Sequence, residues 1–278
     1  MKKFLFAYFI FLTALSFASE AGIQEIECTI KHYERKAGKI SPKSRDSSLH
    51  STRPHQPLYE GTSTNWSGYA AITSLAHPAT GSVSQVAGNW TVPTLSSSNG
   101  NTYSSLWVGI DGYASNTVEQ LGTEHDWSNG KQKNYAWFEM YPQGSYQIIG
   151  FPVNVNDHIG ASVTYQGNNT FKLSIINYTR NVSYTVPSLY TKSVTAQRSS
   201  AEWIVEAPYL SSVLPLAPFG IIPFSNCTAT INGINGPINS PHWVFDALTM
   251  VTQNNAIKAI PSNLTGGGES FTVTWKHQ

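Results

Sequence analysis

Three short runs concentrate the reactive side chains of this chain, and each shows its pattern once it is read with the two-residue side-chain period of a strand. In the run 106–111, Leu106, Val108 and Ile110 fall on one side and Trp107, Gly109 and Asp111 on the other. In 135–141, Ala136, Phe138 and Met140 oppose Tyr135, Trp137, Glu139 and Tyr141. In 201–206, Ala201, Trp203 and Val205 oppose Glu202, Ile204 and Glu206. The first set of each run reads as core. The second sets place carboxylates together, among aromatic rings in two of the three runs. A solvated sheet face would carry Thr, Ser and Lys, so this composition describes a concave surface that grips a ligand. Carboxylates facing one another across such a groove can exchange protons with a substrate. Glu139 and Glu206 would suit a β-sandwich glycoside hydrolase. The same aromatic face without a reactive carboxylate would be a carbohydrate-binding module.

Other chemistries lack their residues. The sequence has no Gly-x-Ser-x-Gly elbow, and Cys227 carries no local signature of a nucleophile. Glu124, His125 and Asp126 are adjacent and would splay to different faces of a strand, and no His-Glu-x-x-His motif is present. No metal and no cofactor is expected. His158 and His242 stand apart from any cluster.

The elements that would position these groups are strands. Only 12% of the 278 residues are charged, and Tyr, Trp, Thr, Ser, Val and Asn are prominent, a mixture suited to half-buried pleated surfaces. Short alternating runs such as 86–92, 161–165, 171–175 and 271–275 are separated by Gly, Pro, Asn and Ser, with no fixed-period repeat. An all-β sandwich or barrel follows. The formal charge of +1, with no dense cationic cluster in the main body, gives no footprint for nucleic acid.

The N-terminus has Lys2 and Lys3, an apolar run from Phe4 to Phe17, and small residues at Ser16, Ala18 and Ser19. This is the pattern of a secretory signal peptide, residues 1–18. The run is shorter than the roughly 18 apolar residues of a membrane span. A secreted chain, extracellular or periplasmic, with no membrane association after signal removal, is expected. Residues 19–60 scatter Lys31, Arg35, Lys36, Lys39, Lys43, Arg45 and Arg53 among Ser, His and Pro, as a basic prosegment or linker does. One catalytic domain, 61–278, remains. Two cysteines, Cys28 and Cys227, imply no disulfide framework.

Five pieces, in order, resemble the landmark segments of the glutamic peptidases (eqolisins): Asn65-Trp66-Ser67-Gly68, Trp107-Val108-Gly109-Ile110-Asp111-Gly112, Gln120-Leu121-Gly122-Thr123, Trp137-Phe138-Glu139-Met140-Tyr141-Pro142 and Ala201-Glu202-Trp203-Ile204-Val205-Glu206. The resemblance covers about residues 62–276. It implies a bent sandwich of two antiparallel sheets, of concanavalin-like or jelly-roll type, with the active site on the concave face. It implies an acid endopeptidase acting on protein or peptide substrates as a monomer. The catalytic pair would be Gln120 and Glu206, with Trp107, Asp111, Trp137, Glu139 and Tyr141 supporting substrate or the pair. Fungal relatives carry disulfides in the mature domain, whereas Cys227 alone would remain here. The segment Glu124-His125-Asp126-Trp127 is also one residue longer than the fungal pattern, which leaves Asp126 without an assigned role.

One carboxylate and one amide suffice for peptide hydrolysis. The ionised Glu takes a proton from water and returns it to the departing amine, while the Gln NH2 donates to the carbonyl oxygen as charge develops. A glutamate of ordinary pKa, about 4.3, makes operation in acid natural.

Overall fold

The computed structural model describes residues 22–33, 42–45, 58–186, 190–191 and 194–278. Residues 1–18, expected to be a signal peptide, lie outside the described residues, as does much of 19–60. Apart from one 3-10 turn at Gly266–Gly268, the regular structure among the described residues is strand.

One layer runs, edge to edge, through Thr29–Tyr33, Ser145–Ile149, Lys131–Tyr141, Val118–Ser128, Thr102–Ile110, Ser200–Glu206, Trp66–Ile72 and Val244–Val251. A second runs through Phe271–Trp275, Ile221–Ile231, Val83–Thr91, His158–Gly167, Thr170–Asn177 and Val182–Thr185. The expected sandwich is present, with one refinement. Ile257–Pro261 pairs with both Val244–Val251 and Phe271–Trp275, so the two layers are one hydrogen-bonded sheet folded on itself. Its pairs are antiparallel except where Leu58–Ser63 runs parallel to Val244–Val251 and Gln24–Glu25 parallel to Val182–Thr185. A domain boundary at residue 61 would fall inside the Leu58–Ser63 strand.

Alternation decides what lies between the layers. Leu106, Val108, Ile110, Ala136, Phe138, Met140, Ala201, Trp203 and Val205 all join the large core, as their spacing predicts. Their opposite neighbours Trp107, Trp137 and Ile204 form a second cluster with Trp66, Ala70, Tyr113 and Leu248 on the concave side. Buried indoles tie the layers through their N–H groups: Trp203 donates to the Ala87 carbonyl at 2.7 Å and Trp90 to the Thr123 hydroxyl at 2.8 Å. Both cysteines are free.

Thr123 extends the second tie into a polar chain. Its hydroxyl, which receives the Trp90 N–H, lies 2.9 Å from His125 Nε2, and His125 Nδ1 lies 3.0 Å from Asn134 Oδ1. Because Asn134 offers an acceptor, Nδ1 carries the proton and Nε2 accepts from Thr123. His125 is therefore held neutral, and burial lowers its pKa to about 4. The unfolded chain takes up this proton near pH 6.5 and the fold does not. Stability is thus complete above pH 6.5 and is lost as pH falls toward 4, by roughly 3 kcal/mol for a shift of this size. Urea unfolding of wild type and His125→Gln at pH 7, 5 and 4 should show this loss in wild type only. Equal pH dependence of the two would refute it.

Candidate active site

In an antiparallel sheet, residues paired across neighbouring strands point to the same face. Following the register across the concave layer gives the site directly. Glu202 pairs with Gly109, Gly109 with Gln120, and Gln120 with Glu139. Gly109 has no side chain, so the Glu202 carboxyl and the Gln120 amide face each other across it. Two strand spacings put their Cα atoms about 10 Å apart, a gap that two extended side chains and one water span.

Glu206 does not meet Gln120. It pairs with Ser105, and Ser105 with Glu124. Four residues along the strand and two strands across set Glu206 roughly 17 Å from Gln120, with Trp107 between. Instead, Glu206 Oε1 receives Asn65 Nδ2 at 3.2 Å and Oε2 receives Trp107 Nε1 at 2.9 Å. This contact orients the Trp107 ring along the strand, and the far edge of the ring reaches the dyad row. A Cβ added at Gly109 would come within 2.9 Å of Trp107 Cζ3 and 3.2 Å of Gln120 Cβ. Gly109 is required because the indole edge floors the space between Glu202 and Gln120.

The remaining groups hold this pair. Gln120 Nε2 donates to Glu139 Oε2 at 2.9 Å, and Ser145 Oγ donates to Glu139 Oε1 at 3.0 Å. That leaves Gln120 Oε1 buried with no hydrogen-bond partner. Neither oxygen of Glu202 completes a hydrogen bond. Burial drives the Glu202 pKa well above the ordinary value. The Ser200 hydroxyl and the Tyr113 main-chain N–H stand near enough to oppose that rise, and the charges of Asp111 and Glu119 add to it. A fully buried carboxyl and an amide oxygen, both unsatisfied and in one cross-strand row, are placed to share a water.

Asp111 acts as a post between two segments. It adopts a left-handed backbone (φ 73°), costly for a residue with a side chain. Its carboxylate receives the main-chain N–H groups of Arg198 and Ser199 and the hydroxyls of Ser199 and Thr117. These bonds fasten the 111–117 turn to the segment that leads into Glu202. Trp137 lies beside Gly122 in the concave cluster with its Nε1 unpartnered, and Tyr141 ends its strand partly exposed. Asp126, on the same face as Glu124, receives the Tyr135 hydroxyl at 3.3 Å. The face that the sequence reads as a gripping surface is buried: Trp107, Gln120, Glu139, Glu202 and Glu206 have no solvent exposure, and Trp137 has 2%. With the N-terminal residues present, these side chains are closed off from solvent.

The sequence reading nominated Glu206 and not Glu202, whereas the register places Glu202 in the row of Gln120. The signal for Glu202 was present, since Ala-Glu-x-Ile-x-Glu puts both glutamates on one strand face, but only the register separates them. The glycosidase pair Glu139 and Glu206 lies in different rows with different partners.

A sheet folded into a sandwich with carboxyls gathered on one face is the class of protein that the fold and site define, and comparison with known proteins gives its family and chemistry. Residues 64–275 match the model of the peptidase A4 family, and the chain belongs to that family. It is a hydrolase of the glutamic endopeptidase type. It is 27% identical over 238 residues to aspergillopepsin-2 of Aspergillus niger, covering 78% of this chain and 79% of that protein. It is 27% identical over 177 residues to scytalidopepsin B of Scytalidium lignicola, covering 61% and 64%. Among solved structures it is similar to a scytalido-glutamic peptidase bound to a transition state analog inhibitor, with TM-score 0.64 and 22% identity over 77% of this chain and 98% of that one. It is also similar to aspergilloglutamic peptidase from Aspergillus niger, with TM-score 0.55 and 26% identity over 63% and 99%.

Proposed function

We propose that this chain is a secreted acid endopeptidase in which a water is activated between Glu202 and Gln120, with Glu202 in the role that the sequence resemblance gave to Glu206. The observation that carries the reading is the single row Glu202, Gly109, Gln120, Glu139. When the site opens, water reaches Glu202 and relieves the burial that raises its pKa, and the ionised carboxylate takes a proton from the water as the water oxygen attacks the peptide carbonyl. Gln120 Oε1 accepts a hydrogen bond from that water, and the amide hydrogen not given to Glu139 donates to the carbonyl oxygen as it becomes an oxyanion. Glu202, now protonated, delivers the proton to the leaving nitrogen, and the C–N bond breaks. Glu139 and Ser145 fix the amide, Trp107 floors the site, and Glu206 fixes Trp107. No metal and no covalent intermediate is needed.

Because the site is closed in the full chain, substrate entry requires a rearrangement, and we assign it to release of the N-terminal segment. Its strand Thr29–Tyr33 is clipped to the edge strand Ser145–Ile149, and Tyr33 Oη lies 2.7 Å from Tyr135 Oη. The segment is basic and the site carries carboxyls, so acid weakens the attraction between them.

Full-length protein incubated in acid should lose residues before Leu58 and then hydrolyse a denatured protein, with EDTA present or absent. N-terminal sequencing and an assay for new amino termini read both steps. A chain that stays inert, or one that EDTA silences, would overturn the reading.

A further inference from the structure

The dyad row continues past Glu202. Glu202 pairs with Ala70, and Ala70 with Asp246 of Val244–Val251. Ala70 offers only a methyl group, so the Asp246 and Glu202 carboxyls flank it much as Glu202 and Gln120 flank Gly109. Asp246 is 2% exposed. Its Oδ1 receives the Gly61 main-chain N–H at 2.9 Å, and its Oδ2 receives the Tyr113 hydroxyl in a short contact.

Tyr113 belongs to the 111–117 turn that Asp111 fastens, and its ring packs in the concave aromatic cluster. Its main-chain N–H faces Glu202 while its hydroxyl reaches Asp246. One residue thus stands beside both carboxyls of the row, bonded to that of Asp246. The hydroxyl ties the turn to the sheet, and that tie sets where the Tyr113 N–H stands relative to the Glu202 oxygen atoms. Nothing in the chemistry assigned to Glu202 and Gln120 otherwise uses Tyr113 or Asp246.

We propose that Tyr113 and Asp246 are positioning residues for Glu202, and that Gly61 sets the position of Asp246. This inference rests on Glu202 being the catalytic carboxylate. Gly61 is held to glycine by close approach: a Cβ there would lie 2.6 Å from Asp246 Oδ2, the oxygen that receives the tyrosine hydroxyl. The strand Leu58–Ser63 is therefore part of the working site, and the active enzyme keeps it.

Two substitutions interrupt the same contact by different means, and neither removes a carboxyl. Tyr113→Phe removes the hydroxyl, and Gly61→Ala displaces the oxygen that receives it. Each is expected to lower kcat roughly tenfold, the scale for one hydrogen bond to a charged group, with KM changed by less than about twofold. Each should also move the acid limb of kcat to higher pH. The groups facing Glu202 are Ser200, Asp111, Glu119, the Tyr113 N–H, Gln120 across Gly109 and Asp246 across Ala70. Loosening the Tyr113 N–H removes a donor that favours the ionised form, so Glu202 holds its proton to higher pH.

The double variant should be no slower than the slower single variant, since both break one contact. Thermal melting of all three variants separates this from unfolding, because a purely structural role would lower Tm without moving the pH limb. Unchanged kcat and pH limb in Tyr113→Phe, or losses that multiply in the double variant, would overturn the inference. The parallel Glu202→Gln enzyme tells the two readings apart. If it is active, the assignment of Glu202 fails; if it is inactive while Tyr113→Phe behaves as wild type, only the positioning role fails.

Discussion

Glu202→Gln is expected to lose at least about a hundredfold, and up to about ten-thousandfold, in kcat, the range for removing a general acid–base group. The amide keeps the shape of the side chain but cannot take the proton from water. The same substitution should make the protein more stable near neutrality. Burial raises the Glu202 pKa in the fold above its value in the unfolded chain. The stability tied to its protonated form is thus complete in acid below the ordinary glutamate range, and is lost as pH rises through the folded pKa. Glutamine suffers no such loss. Melting temperatures of the variant and wild type should therefore differ most near pH 7, in favour of the variant, and converge in acid. Loss of activity with a gain in stability is the signature of a strained catalytic group. Glu206→Gln should behave differently. Its oxygen can still accept the Trp107 N–H, and Asn65 can turn its amide to meet the new NH2, so a loss within about tenfold is expected. An inactive Glu206→Gln beside an active Glu202→Gln would show that the partner of Gln120 had been misassigned.

Gln120→Ala is expected to lower kcat by at least about a hundredfold, the usual scale for one oxyanion donor, while KM changes little. The asymmetry arises because the bond strengthens only as the carbonyl oxygen gains charge, so ground-state binding is left intact. Gln120→Glu probes the same point more finely. It keeps the length of the side chain but sets a third carboxyl between Glu202 and Glu139, and repulsion raises the proton affinity of the group. A protonated glutamic acid can still donate one hydrogen bond. Residual activity should survive only on the acid side of the wild-type profile. Wild-type rate and profile in Gln120→Glu would remove this residue from the mechanism, and a glycosidase would have no reason to need it.

Much of this architecture was written locally. A two-residue period needs only short-range information, so the sequence alone determined that Leu106, Val108, Ile110, Phe138 and Trp203 lie between layers and that Trp107, Trp137, Glu139, Glu202 and Glu206 share the opposite face. The ordered landmark segments likewise brought Gln120 and Glu139 into one reading, and the two now share a hydrogen bond. What alternation cannot encode is register. Glu202 and Glu206 are four residues apart on one strand face, and sliding Ser200–Glu206 past Thr102–Ile110 would exchange their neighbours without turning a single side chain over. Long-range packing fixes that slide, through contacts such as Trp203 to Ala87, and Gly109 makes room for the result. The left-handed turn at Asp111, the closure of the concave face, and the meeting of Tyr113 with Asp246 across 133 residues are also products of the assembled sheet. Each depends on groups that become neighbours only when distant strands have paired, and so the sequence placed the carboxylates on one face while the tertiary structure decided which of them stands in the row of Gln120.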